Sequence, residues 1–161
     1  WVNTSALFAQ SEQEARALST LIAPHGHDIK FDVGAGFEIA GVQAELYSAV
    51  SNLVTNAVRY TPDVGKVWVS WKVLSDGRGE FVVEDSGPGI AAEHLPRLTE
   101  RFYRVDRSRS RETGGTGLGL AIVKHVAQRH GAELHIQSQL GQGSRFSITF
   151  PSARVRSNQG A

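Results

Sequence analysis

Four polar side chains, Ser48, Asn52, Asn56 and Arg59, follow one another at steps of four, four and three, which places them on one face of a helix predicted over 43–60. Leu46, Val50, Leu53, Val54, Ala57 and Val58 supply the opposite, apolar side. Asparagine is a poor helix former, and two on one stripe with no cap to make suggest a ligand. Amide oxygens are hard, neutral donors suited to Mg²⁺, which usually shares its shell with water and substrate phosphates. Arg59, one turn further on, could meet a terminal phosphate with several N–H donors. Asparagines that only hydrogen-bond backbone in a half-buried groove would leave the same pattern.

Two glycine-bearing segments accompany this face. In Glu84-Asp85-Ser86-Gly87-Pro88-Gly89-Ile90 a strand ends in acid and turns. An ionised Asp85 accepts hydrogen bonds only, which suits an exocyclic amine such as adenine N6, and Gly87 and Gly89 let a base approach the backbone. A plain turn is the simpler reading. A calcium loop is excluded because the repeated carboxylates of an EF-hand are missing. Further on, Gly114, Gly115, Gly117 and Gly119 lead from an arginine-rich segment into an apolar helical pattern. Glycines there allow backbone N–H groups to converge on an anion at a helix N-terminus. The GxxxxGK[ST] of a P-loop occurs nowhere, and no early strand precedes the glycines as a dinucleotide fold requires. A glycine hinge before an ordinary helix is the alternative.

Composition sets the frame. With 161 residues and 40% hydrophobic content the chain suits one globular domain, expected over 1–151 with a disordered tail over 152–161. The formal charge of +1 gives no global field for nucleic acid, although Arg97, Arg101, Arg104, Arg107, Arg109 and Arg111 concentrate positive charge locally. Cysteine is absent, which excludes disulfides and thiolate metal sites. No run of about 18 apolar residues could span a membrane. The chain starts at Trp1 and holds no Met, and so reads as a piece of a longer protein.

The elements that must position these groups follow from periodicity. Leu7, Phe8, Ala15, Leu18, Leu21 and Ile22 mark an amphipathic helix over 6–22, ended by Pro24 and Gly26. Short strands over 28–33 and 37–42 flank Gly34-Ala35-Gly36, and the 43–60 helix stops before Thr61-Pro62. Val67, Val69, Trp71 and Val73 alternate with polar neighbours over 66–74, and 80–83 completes a hairpin. A third helix over 118–130 ends at Gly131, and 133–138 with 144–150 forms a last hairpin. This order predicts a two-layer α/β (α+β) sandwich, a mixed sheet with helices packed on one face.

Taken in order, the motifs resemble those of the catalytic, ATP-binding domain of sensor histidine kinases, part of the wider family that includes gyrase, Hsp90 and MutL. SNLVTNAVRYTP is similar to its N box, EDSGPGI to its G1 box, ERFYRVDRSRSR to its F box and lid, GGTGLGLAIVKH to its G2 box and GQGSRFSITF to its last hairpin. Nearly the whole chain is covered. The wording around the N box and the lid most resembles the PhoR-type sensors of the phosphate regulon.

The resemblance implies a Bergerat-type fold that binds ATP with Mg²⁺. Asn52 and Asn56 would hold the metal and phosphate oxygens, Arg59 the γ-phosphate, Tyr60 would pack on adenine and Asp85 would bind its N6. Gly87, Gly89 and Ile90 would shape the base pocket. Arg104 and Arg109 would approach the phosphates from the lid, and Gly115, Thr116, Gly117, Leu118, Gly119 and Leu120 would wrap them. Phe102 and Tyr103 would contact partner helices. The implied partners are a dimerisation hairpin carrying the phosphoacceptor histidine and a response regulator of PhoB type. The implied location is the cytoplasmic side of the bacterial inner membrane, with no direct membrane contact by this segment. The related ATPases carry a glutamate where this chain has Asn52, and a neutral amide cannot take a proton, which favours phosphoryl transfer over hydrolysis. Glu45, seven residues earlier, keeps a hydrolytic alternative open. No phosphoacceptor motif occurs, and the six histidines read as structural or surface residues.

Overall fold

The computed structural model describes residues 1–101, 103 and 119–157. Along the chain run β1 (Val2–Asn3), α1 (Thr4–Ile22), β2 (Asp28–Asp32), β3 (Phe37–Ile39), α2 (Gln43–Tyr60), β4 (Lys66–Val73), β5 (Gly79–Asp85) and a 3₁₀ turn at Ala92–Arg97. Then follow α3 (Gly119–Arg129), β6 (Glu133–Gln139), β7 (Gly143–Phe150), a 3₁₀ turn at Ser152–Arg154 and β8 (Val155–Ser157). Five strands form a mixed sheet in the order β2-β4-β5-β7-β6, in which β2 and β4 are parallel and every other pair is antiparallel. The helices cover one face, as the periodicity predicts.

Alternation decides which strand residues meet the helices. Val67, Val69 and Trp71 of β4, Phe81 and Val83 of β5 and Phe146, Ile148 and Phe150 of β7 are buried with Phe8 of α1 and Leu53, Val54 and Val58 of α2. Phe8 stacks on Phe81 with ring centres 5.3 Å apart, and its removal would cost about 3–5 kcal/mol on the scale of large core truncations. On the other face Lys72 pairs with Glu80, and Arg145 joins Glu80 to Glu84. These cross-strand charges keep that face in water.

The strands over 28–33 and 37–42 do not pair with each other. β2 joins the large sheet, whereas β3 lies between β1 and β8 in a separate three-stranded sheet. The expected disordered tail is therefore corrected over 152–157: Arg154 donates to Ala40 O at 3.0 Å, and Arg156 meets Glu38 at 2.9 Å and lies over the Trp1 ring. Residues 158–161 lie outside the described residues.

Each helix ends for a local reason. Asn3 caps α1 by accepting from Ala6 N–H, and Ala23 precedes Pro24. α2 stops at Thr61-Pro62, and Gly131 at φ +64° closes α3. The turn after α2 is fixed by the α1–β2 turn. His25 donates from its backbone and Nδ1 to Asp63, His27 Nε2 to Thr61 O, and Val64 N–H to Gly26 O.

Among the described residues Val64 is the one non-glycine with positive φ, at 61°, and it is 69% exposed. A β-branched residue there costs about 1–3 kcal/mol, which the clamped turn holds in place. Val64→Gly should therefore raise the thermal midpoint by about 2–4 °C for a chain of this size. A fall in a thermal unfolding scan would mean that glycine's added unfolded-state entropy outweighs the strain.

Candidate functional site

α2 sets the asparagine stripe because its other face is wholly occupied by the core. Leu46, Val50, Leu53, Val54, Ala57 and Val58 are buried, as the spacing predicts. Asn52 Nδ2 donates to Ser48 O at 2.7 Å and to Ser48 Oγ at 3.3 Å. That leaves Asn52 Oδ1 directed at the start of α3. A Cβ placed on Gly119 would stand 2.8 Å from Asn52 Oδ1 and 3.4 Å from Asn56 Nδ2. The first described turn of α3 and both asparagine amides therefore meet, with Leu120 packed partly into the core beside them. Arg59 Nε is buried and has no hydrogen-bond partner among the described residues, a donor in reserve for an anion. The amide oxygen is a donor suited to a hard cation, whereas the helix start with its free N–H groups suits an anion. Arg104, Arg109, Gly115, Thr116, Gly117 and Leu118 lie outside the described residues, as does Phe102.

The far ends of α2 and α3 are tied together. Arg129 donates to both carboxylate oxygens of Glu45, at 2.5 and 3.2 Å. That hydrogen bond, more than any other influence, holds the Glu45 carboxyl below its ordinary range. A carboxylate paired in this way is a weaker base, which counts against the hydrolytic role open to Glu45 in sequence. His130 is buried, donates from Nδ1 to Val126 O and accepts the Val42 N–H at Nε2, with Gly41 against its ring. The structural reading also holds for the other partnered histidines. His27 binds Ser19 and Thr61, His25 binds Asp63, His94 binds Tyr103 and His135 pairs with Glu133. His125 is exposed. Tyr103 is half-buried, with Arg97 stacked 4.5 Å from its ring centre.

The acidic loop follows β5, beside the end of α2. Asp85 is the last residue of β5, and its Oδ1 accepts the Gly87 N–H at 2.9 Å. A Cβ on Gly87 would lie 2.9 Å from Asp85 Oδ1 and 3.0 Å from Tyr60 O, so glycine lets the loop pass between the carboxylate and the end of α2. Tyr60 is partly exposed beside it. Gly89, at φ +77°, passes so close to Gln139 O that a side chain would collide with it. Ile90 N–H reaches Ser138 Oγ at 2.7 Å. Sequence reasoning missed Ser138, which no local pattern distinguishes from other strand serines.

With a half-buried carboxylate at the end of β5 and an asparagine pair against a helix start, the chain belongs to the histidine kinase-, DNA gyrase B- and HSP90-like ATPase family, which matches residues 41–154. Membership implies ATP binding, and the fold is that of histidine kinase catalytic domains. The phosphate regulon sensor protein PhoR of Pseudomonas aeruginosa is 51% identical over 154 residues, 96% of this chain and 34% of that protein. The solved mycobacterial sensor histidine kinase MprB is 28% identical with a TM-score of 0.78, covering 93% of this chain and 95% of that one. Full-length ShkA in complex with AMPPNP is 28% identical with a TM-score of 0.76, covering 93% of this chain and 30% of that one. The chain spans about a third of the length of the curated relatives it matches. Among the described residues no helix is long and apolar enough to cross a membrane.

Burial is the main influence on Asp85 and holds its carboxyl above the ordinary aspartate range, with the N–H groups of Gly87 and Ser144 pulling the other way. Unfolded, the same carboxyl ionises at lower pH, so the folded chain loses stability as pH rises through the unfolded and then the folded pKa. Asp85→Asn removes that loss. Its thermal midpoint at pH 7 should equal or exceed the parent's, and any advantage should vanish below about pH 4. A midpoint several degrees lower at pH 7 would instead make the charge a structural requirement.

Proposed function

We propose that this domain binds Mg-ATP along the asparagine face of α2 at the start of α3 and presents the γ-phosphate to a histidine on a dimerisation hairpin outside this sequence. The observation that carries this reading is the approach of Gly119 to the Asn52 and Asn56 amides, in a chain that also holds the half-buried Asp85 at the end of β5. Asp85 accepts from adenine N6, Tyr60 packs on the ring, and Gly87, Gly89 and Ile90 shape the pocket. Asn52 and Asn56 hold Mg²⁺ and phosphate oxygens, while Arg59 meets the γ-phosphate and Gly119 and Leu120 present the start of α3. Arg104, Arg109, Gly115, Thr116, Gly117 and Leu118 belong to the phosphate end in the same reading. The metal would neutralise phosphate charge, and this chain's residues would supply positioning and cationic stabilisation. The nucleophile and any base come from the partner hairpin.

At the level of the whole protein the reading is a sensor histidine kinase signalling phosphate starvation. It would act from the cytoplasmic side of the bacterial inner membrane, as a dimer, and pass phosphate to a response regulator of PhoB type. The 51% identity to a phosphate regulon sensor supports this assignment. The capture of Glu45 by Arg129 disfavours an independent ATPase.

Isothermal titration of AMPPNP with Mg²⁺ should give saturable binding by the parent. Loss of a charge-assisted hydrogen bond in Asp85→Asn should weaken it roughly 10–150-fold. Binding by the parent should also weaken as pH falls through the raised Asp85 pKa, because the protonated carboxyl no longer accepts only. Asn56→Ala should lose most of the dependence on Mg²⁺. Equal affinity in the parent and Asp85→Asn would overturn the adenine assignment.

Transfer is tested separately, with γ-labelled ATP and a dimerisation hairpin from the P. aeruginosa relative. Label on the hairpin histidine is expected. Phosphate release without labelled protein, abolished by Glu45→Gln and retained in Asn52→Ala, would favour hydrolysis.

A further inference from the structure

The acidic loop and the β6–β7 turn are joined at a single hydroxyl. Ser138 Oγ accepts the Ile90 N–H at 2.7 Å, donates to Gly143 O at 3.0 Å and lies 2.8 Å from Ser144 Oγ. A serine hydroxyl has one proton to give and two lone pairs to receive, so donation to Gly143 O leaves both lone pairs for Ile90 and Ser144 and completes its capacity. Backbone contacts flank this junction. Gly141 N–H donates to Pro88 O at 2.8 Å, and Gly89 and Gly143 approach Gln139 O and Asp85 O where any side chain would collide. The loop after β5 therefore lies flat on the turn, with Ser138 supplying the side-chain tie.

We infer that Ser138 is a positioning residue for base recognition, holding Gly89 and Ile90 at a fixed height relative to Asp85. The inference rests on the nucleotide reading above. Asp85 is set by the end of β5, whereas the residues after it leave the sheet. Among the described residues, the hydrogen bond of the Ile90 N–H is the one to Ser138, on a strand two places away in the sheet order. Removing the hydroxyl leaves that N–H and the Gly143 carbonyl to seek other partners, and the loop gains freedom that a bound base must take away again.

The test compares Ser138→Ala and Ser138→Thr with the parent by amide hydrogen exchange and by AMPPNP titration with Mg²⁺. In Ser138→Ala the Ile90 amide should exchange at least tenfold faster while Val69 and Val83 in the sheet keep parental rates. AMPPNP affinity should fall roughly five- to tenfold, the size of one lost neutral hydrogen bond. Ser138→Thr, which keeps the hydroxyl, should restore both. Unchanged Ile90 exchange, or unchanged affinity in the face of faster exchange, overturns the role of Ser138. So does faster exchange across Ile90, Val69 and Val83 together, which would mark a general structural role. Failure of the parent itself to bind AMPPNP is a separate result, and it overturns the nucleotide reading together with the base-recognition role built on it.

Discussion

The missing side chain at Gly119 sets how closely the first described turn of α3 can lie to the asparagine face of α2. Any Cβ there would stand 2.8 Å from Asn52 Oδ1, so the Asn52 amide would have to turn away from the helix start. Their closeness puts the donor-rich start of a helix, which suits an anion, next to neutral amide oxygens, which suit a hard cation. Carboxylates in place of the asparagines would themselves bind the helix start and repel phosphate. Asparagines avoid this because an amide carries no charge.

Such an approach at one end requires that the helices be fixed at the other. α3 runs antiparallel to α2, and its C-terminal end is held by Arg129 on Glu45 and by His130 on Val42. The ion pair is partly exposed, and pairs of that kind are worth little by themselves. His130 matters more to the geometry, since it is buried and both ring nitrogens have backbone partners. α2 is held in turn by its apolar face, so rotation about its axis that moved the asparagines would also expose Leu53, Val54 or Val58.

What could be read in the sequence was what repeats locally. The 3.6-residue period of α2 separated the asparagine stripe from the core, and the two-residue period of β4 gave its inward face. The small sheet could not be read that way, because β1 and β8 have two and three residues and pair with β3 from opposite ends of the chain. Its side-chain ties, Trp1 with Arg156 and Arg154 with Ala40 O, look in sequence like unrelated surface residues. Glu45 shows the opposite failure. Helical spacing allowed it to share the asparagine face, and only a partner 84 residues away shows that its carboxylate is engaged. Ser138 was hidden for a similar reason, since its significance lies in a loop 48 residues earlier.

The two ends of the proposed site differ in charge in a way that mirrors the proposed ligand. At the proposed base end a half-buried carboxylate is kept, although desolvation makes it costly, and in the proposed reading a neutral adenine would offer it N–H donors. At the phosphate end the helix face offers amides and Arg59, where the ligand is highly anionic. Water withdrawn from Asp85 is withdrawn from its competitors for hydrogen bonding as well, so the burial that weakens the fold strengthens selection of a donor at that position. Exchanging the two chemistries would put carboxylate against phosphate and leave the base with no anionic acceptor. In the proposed reading, the separation of charge along α2 and β5 would orient a nucleotide before any contact by the segment between the 3₁₀ turn and α3 is considered.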